Sequence, residues 1–187
     1  MSGHEVLIGV MAGFAVFGAV DRVMGNRFGI GEKFEEGVLS MGSLAMAMLG
    51  VICLAPVLAA VLKPVVVPVY TFLGADPAMF AGSILANDMG GGALAMEMTD
   101  DIQAAYLGGV LTGSMLGATI VFTIPAAMGI VAKEDHPAIA KGILCGIVTI
   151  PLGVLAGGIL SGFPVGMVLR NLIPIVLLAA LIAFGLW

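Results

Sequence analysis

Long apolar runs separated by short polar punctuation dominate the chain. They cover roughly residues 5–23, 38–58, 77–96, 102–131, 138–160 and 165–187. Each is near the ~20 helical residues needed to cross a hydrocarbon core ~30 Å thick. The first run ends at Asp21-Arg22, a loop rich in glycine and charge extends from Gly25 to Glu36, and the second run ends at Pro56. Between the second and third lies 59–74, AAVLKPVVVPVYTFLG, which is short, β-branched and broken by Lys63, Pro64 and Pro68. That segment fits either a re-entrant hairpin or a distorted crossing. The run 77–96 is interrupted by Asn87-Asp88 and then by Gly90-Gly91-Gly92, and the last three carry Pro125, Pro151 and Pro174.

Basic residues decide how 59–74 is counted. If it crosses and the N-terminus lies outside, Arg22, Arg27, Lys33, Lys133 and Lys141 fall inside, with Lys63 and Arg170 outside or near a span end. If it only dips, the bias disappears. The sequence therefore predicts an all-α polytopic membrane bundle of about seven spans. It has a broken helix near 87–92 and Pro-kinked helices, with 1–187 forming a single transmembrane domain.

Composition agrees with this pattern and narrows the function classes. The 187 residues are 60% hydrophobic and 10% charged, with a mean hydropathy of +1.17, whereas soluble domains are about a quarter charged. A net charge of −5 and a pI near 4.7 exclude a nucleic-acid partner, which would need a basic patch. Cys53 and Cys145 lie in apolar runs without metal-ligand spacing and read as buried, inert thiols. No cleavable leader is expected, because Met1 to Glu5 lacks a basic segment and the first apolar run leads into Asp21-Arg22. His4 and His136 stand far from any second ligand, and no phosphate loop, HExxH or nucleophile elbow is present. No enzyme, metal or cofactor is predicted.

Small residues set how such helices pack, since lipid supplies little hydrophobic drive between them. Gly109, Gly113 and Gly117 form one ridge, with Gly9/Gly13, Gly142/Gly146 and Gly153/Gly157 forming others. Packing is the expected role of all of them, as it is for the 13 methionines.

Polarity placed at a cost marks the candidate site. Asp88 sits inside an apolar run, where a central carboxylate costs ~2.5–3.5 kcal/mol on insertion scales and should face a cavity or a partner. Asn87 and the glycines 90, 91 and 92 beside it predict a break, and freed backbone groups survive at that depth only inside protein or beside water. Asp88 could instead only cap the second half-helix. Thr123-Ile-Pro125 and Thr149-Ile-Pro151 repeat one tripeptide, and Asn171-Leu-Ile-Pro174 is close to it. Each proline frees the carbonyl four residues earlier, at Val121, Ile147 and Arg170. Thr123, Thr149 and Asn171 are thus predicted to join Asp88 and Asn87 in binding substrate, with Pro125, Pro151 and Pro174 as hinges. Glu35-Glu36, Glu97 and Asp100-Asp101 read as solvated interface residues.

The segments FEEGVLSMGSLAMAMLGVICLAPVLA (34–59), PVYTFLGADPAMFAGSILANDMGGGALAMEM (68–98) and GSMLGATIVFTIPAAMGIV (113–131) resemble the EutH-type ethanolamine transporter family. So do AVDRV (19–23) and GILCGIVTIPLGVLAGG (142–158). The resemblance implies a multi-pass protein of the bacterial inner membrane that admits ethanolamine, by alternating access at a midplane site or by facilitated diffusion. It covers only the N-terminal half of family members, which implies a split transporter completed by a second half-transporter chain, a homo-oligomer, or a fragment of a longer protein. A protonated amino alcohol suits a carboxylate such as Asp88 with hydroxyl and carbonyl acceptors. The alternatives are an ion-coupled carrier of another small organic ion and a structural membrane subunit that does not transport.

Overall fold

The computed structural model describes residues 3–186, and every regular element among them is helical. A bilayer imposes this, because a helix satisfies its backbone hydrogen bonds internally where water is absent. The chain divides into two compact units, Met1–Leu49 and Gly50–Trp187.

In the first unit α1 (Gly3–Val23) turns into the start of α2 (Ile30–Phe72). Asp21 makes that turn. It is only 2% exposed, and its carboxylate accepts from the backbone N–H groups of Phe28, Ile30 and Gly31 at 3.0, 3.0 and 2.9 Å. It thereby satisfies donors at the start of α2, which have no partner within the helix. Asn26, in the left-handed region at φ 56°, accepts from the Glu32 N–H at 3.0 Å. Arg22 pairs with Glu35, and Lys33 pairs with Glu36 at 2.8 Å, so the acidic pair is partnered within the turn. Asp21→Ala is expected to lower the thermal transition by roughly 2–4 °C, followed by scanning fluorimetry in detergent. An unchanged transition would mean that the cap contributes nothing.

Among the described residues four helices are long and apolar enough to cross a membrane, or five when one bent pair counts as a span, so the seven predicted spans are not confirmed. The first correction concerns 38–58 and 59–74, which belong to one helical stretch, Ile30–Phe72, with Pro56, Pro64 and Pro68 inside it. Its membrane-length window is Ile52–Phe72. Proline removes one backbone bond and disturbs the turn before it, but it does not oblige a membrane helix to end. All three prolines face outward. The second correction concerns 77–96. It does not cross, because it is two seven-residue helices, α3 (Ala78–Ile84) and α4 (Gly92–Met98), on either side of the break. At 1.5 Å per residue each leg rises only about 10 Å.

The remaining spans are α5 (Ile102–Ile130), α6 (Lys133–Leu160) and the pair α7 (Val165–Asn171) and α8 (Ile173–Leu186), bent by 48° at Leu172. The predicted last span, 165–187, thus carries a bend beside Pro174, and its final residue lies outside the described residues. Over Tyr106–Gly117 α5 is wound in wide i→i+5 turns, and the buried Thr112 hydroxyl donates to the Leu107 carbonyl at 2.9 Å.

Two apolar clusters hold the second unit together. One packs Met79 of α3 with Leu107 and Leu116 of α5, Ile147, Ile150 and Val154 of α6, and Val168, Leu172 and Ile175 of the bent pair. The other packs Ala59 and Val66 of α2 against Ala78, Ala81, Leu94, Ala95 and Met98, drawn from both short legs. Large apolar side chains cover the outside, among them Phe72, Ile130, Leu160 and Phe184. That distribution suits a surface wetted by lipid. The chain is a multi-pass membrane protein.

Candidate functional site: a re-entrant hairpin and the cleft at its base

Residues 76–99 enter and leave on the same side. The decisive contact joins the two ends of the segment: the Thr99 hydroxyl donates to Asp76 Oδ2 at 2.8 Å. The sequence builds this base from two helix-start signals. Gly74, at φ 73°, ends α2 with hydrogen bonds from Gly74 N to the Thr71 carbonyl and from Ala75 N to the Tyr70 carbonyl. Asp76-Pro77 then opens α3, with Asp76 Oδ1 accepting from the Ala78 N–H at 2.8 Å. Across the base, Asp101 Oδ1 accepts from the Gln103 and Ala104 N–H groups at 2.9 and 3.3 Å and starts α5. The Asp101 N–H in turn donates to Thr99 Oγ1 at 3.1 Å.

The tip of the hairpin is the predicted break. Leu85 and Ala86 are extended (φ −121°, ψ 140° and φ −64°, ψ 149°), and a wide turn over Asn87–Gly91 leads into α4. Gly90 has φ 93°, a conformation that residues with a Cβ rarely adopt. The Ala86 carbonyl accepts from the Met89 and Gly91 N–H groups, and the Asn87 carbonyl from the Gly92 N–H. Asn87 is half-buried and Asp88 is exposed at the apex.

The tip is seated on α5 by backbone contact. A Cβ on Gly117 would lie 2.0 Å from the Leu85 carbonyl oxygen, and one on Gly113 would lie 3.0 Å from the Asn87 nitrogen. The ridge 109/113/117 therefore holds the α4 leg and the tip. Gly153 and Gly157 of α6 face Met115 and Leu111, whereas Gly9, Gly13, Gly142 and Gly146 meet nothing within 4 Å.

The other predicted site residues are placed elsewhere. Thr123 is exposed on α5, as is Thr149 on α6, where its hydroxyl donates to the Gly146 carbonyl at 2.7 Å. Asn171 is 5% exposed and lies at the hairpin base, its Oδ1 accepting from the Asp76 N–H at 2.6 Å. Among the described residues no hydrogen bond joins Thr123, Thr149 or Asn171 to Asn87 or Asp88. Gly90 makes the apex and Gly91 and Gly92 start α4. Pro125 stands in the first turn of the final α5 segment, Pro151 is buried inside α6, and Pro174 starts α8 beside the 48° bend.

Sequence reasoning missed Asp76 and Thr99. The signal for them was a helix-start Asp-Pro followed, 23 residues later, by a second capping stretch, Thr99-Asp-Asp101. Beside them, at the hairpin base, a cleft of about 510 Å³ is lined by Thr71, Asp76, Asp101, Met167, Arg170 and Asn171, among others. Arg170 Nε donates to the Gly74 carbonyl at its edge.

Comparison with known proteins assigns the chain. The family model described as ethanolamine utilisation protein, EutH, matches residues 4–187. The chain belongs to the EutH family. Among relatives, a protein of Listeria monocytogenes named probable ethanolamine permease EutH is 57% identical over the whole chain and 50% of its own length. The protein of the same name from Escherichia coli is 45% identical, over the whole chain and 52% of that relative. YxeR of Bacillus subtilis, which carries no functional name, is 53% identical over the whole chain and 50% of its own length. The chain thus spans about half the length of the EutH relatives it matches. No solved structure matches it.

Proposed function

We propose that this chain forms part of a membrane permease for ethanolamine, with Asp88 and Asn87 at the hairpin apex receiving the protonated amine. The observation that carries this reading is the apex itself: an exposed carboxylate held at the tip of two short helices that do not cross. Irregular backbone beside a carboxylate inside an apolar bundle is how many carriers hold substrates and ions. The names of the EutH relatives support ethanolamine as the solute, whose ammonium would donate to the Asp88 carboxylate in a charge-assisted bond. Thr123 and Thr149 are the candidate acceptors along the path, and the prolines 125, 151 and 174 its candidate hinges. A second chain, or another copy of this one, would close the site over the apex, in the bacterial inner membrane.

Uptake of labelled ethanolamine into cells or vesicles tests the assignment. Asp88→Asn, which keeps the shape and removes the charge, is expected to raise the apparent KM by about tenfold or more. Unchanged uptake and affinity would remove Asp88 from the mechanism. Uptake by wild type that requires sodium would favour the ion-coupled alternative, with Asp88 holding the cation.

A further inference from the structure

The cleft at the hairpin base carries both signs of charge without letting them neutralise each other. Arg170 belongs to neither ion pair among the described residues, so neither Asp76 nor Asp101 comes within 4 Å of its guanidinium nitrogens. Its Nε is spent on the Gly74 carbonyl, which leaves the two Nη groups with their N–H donors free. Asn171 is more than nine-tenths buried, lines the cleft, and uses only its Oδ1 within the protein. Its Nδ2 makes no hydrogen bond there, and since no fully buried side-chain nitrogen or oxygen among the described residues lacks a partner, that amide edge is open to the cleft. On the acidic side, Asp101 Oδ1 takes two backbone N–H groups while Oδ2 takes none. Asp76 commits one acceptance at each oxygen and keeps lone pairs at both.

We propose that this cleft binds a phosphoethanolamine group, its phosphate on Arg170 and Asn171 Nδ2 and its primary ammonium on Asp101 and Asp76. The free donors number more than the two oxygens of a carboxylate can take up in a bidentate pair, and they suit the several oxygens of a phosphate. The free carboxylate lone pairs call for an ammonium that still carries hydrogens, which a quaternary amine lacks. The surroundings fit a lipid headgroup as well as a free solute. The cleft lies where Ile52–Phe72 ends and Ile102–Ile130 begins, and Phe72, next in the chain to the lining Thr71, is 90% exposed. Acyl chains would find apolar surface there.

The test uses the purified full chain in detergent, offered equal amounts of phosphatidylethanolamine, phosphatidylcholine and phosphatidylglycerol, with bound lipid read by native mass spectrometry. Phosphatidylethanolamine is expected to be retained about fivefold or more over the other two. That preference should vanish in Arg170→Gln and in Asp101→Asn, the second of which keeps the Oδ1 acceptor that starts α5. Asp88→Asn should leave it intact, which separates this site from the permease reading. Displacement by free O-phosphoethanolamine would identify a soluble ligand, and retention despite it a lipid, each supporting the same chemistry. Equal retention of the three lipids, or a preference that survives in both cleft variants, would overturn the proposal.

Discussion

Gly117→Val is expected to unseat the hairpin. The first atom of any side chain at this position would lie 2.0 Å from the Leu85 carbonyl oxygen, and neither partner is a flexible side chain that could swing aside. Overpacking typically costs about 1–3 kcal/mol, and a collision between two backbones belongs at the upper end of that range. The readout is Ala86→Cys, placed at a residue with no exposed surface, in a background lacking Cys53 and Cys145, which are exposed on the outer, apolar surface rather than buried as expected. The cysteine should resist a membrane-permeant maleimide in the parent and react in the Gly117→Val variant. Gly129→Val, where nothing lies within 4 Å, is the control and should change neither labelling nor melting. Protection retained with valine at 117 would show that the tip does not rest on α5.

Asp76→Ala is expected to cost about 2 kcal/mol. It removes the cap of α3, worth about 1 kcal/mol, together with the acceptor of the Thr99 hydroxyl, worth a similar amount. Thr99→Val should cost less, because it leaves the α3 cap in place. The double variant should cost clearly less than the two singles together, since the hydroxyl–carboxylate bond is counted in both. Reversible unfolding of the four proteins in one detergent measures the cycle. Strict additivity would mean that the base of the hairpin is not joined there.

The break at 87–92 was legible because asparagine, aspartate and three glycines in a row are poor helix formers in any setting. Its direction was not. A hydropathy window registers 77–96 as one apolar run whether the second half continues or returns; contacts between its two legs, such as that of Asp76 with Thr99, 23 residues apart, distinguish the two. The prolines misled for a related reason. Pro56 looked like an end because in water a proline usually ends a helix or sits near its start, whereas α2 continues past three of them. Kinks were expected alike at Pro125, Pro151 and Pro174; the 48° bend lies beside Pro174 and wide turns precede Pro125, while Pro151 stands inside a continuous helix. Asn171 was singled out as a polar residue shortly before Pro174, in a sequence close to the two Thr-Ile-Pro repeats. That signal locates buried polar atoms without saying what they bind, and here Oδ1 is committed to the Asp76 N–H. The glycine ridge was read as packing material. What no pattern in a single sequence specifies is that its partner is the carbonyl edge of a turn rather than another helix.

A tip that rests main chain on main chain leaves no clearance for it to swing open like a lid. Lifting the tip would break a main-chain interface along Gly113 and Gly117, whereas moving the hairpin together with α5 would keep it. A cycle that turns the Asp88 carboxylate from one side of the bilayer to the other is therefore cheaper with its sliding boundary at the outer margins of that block.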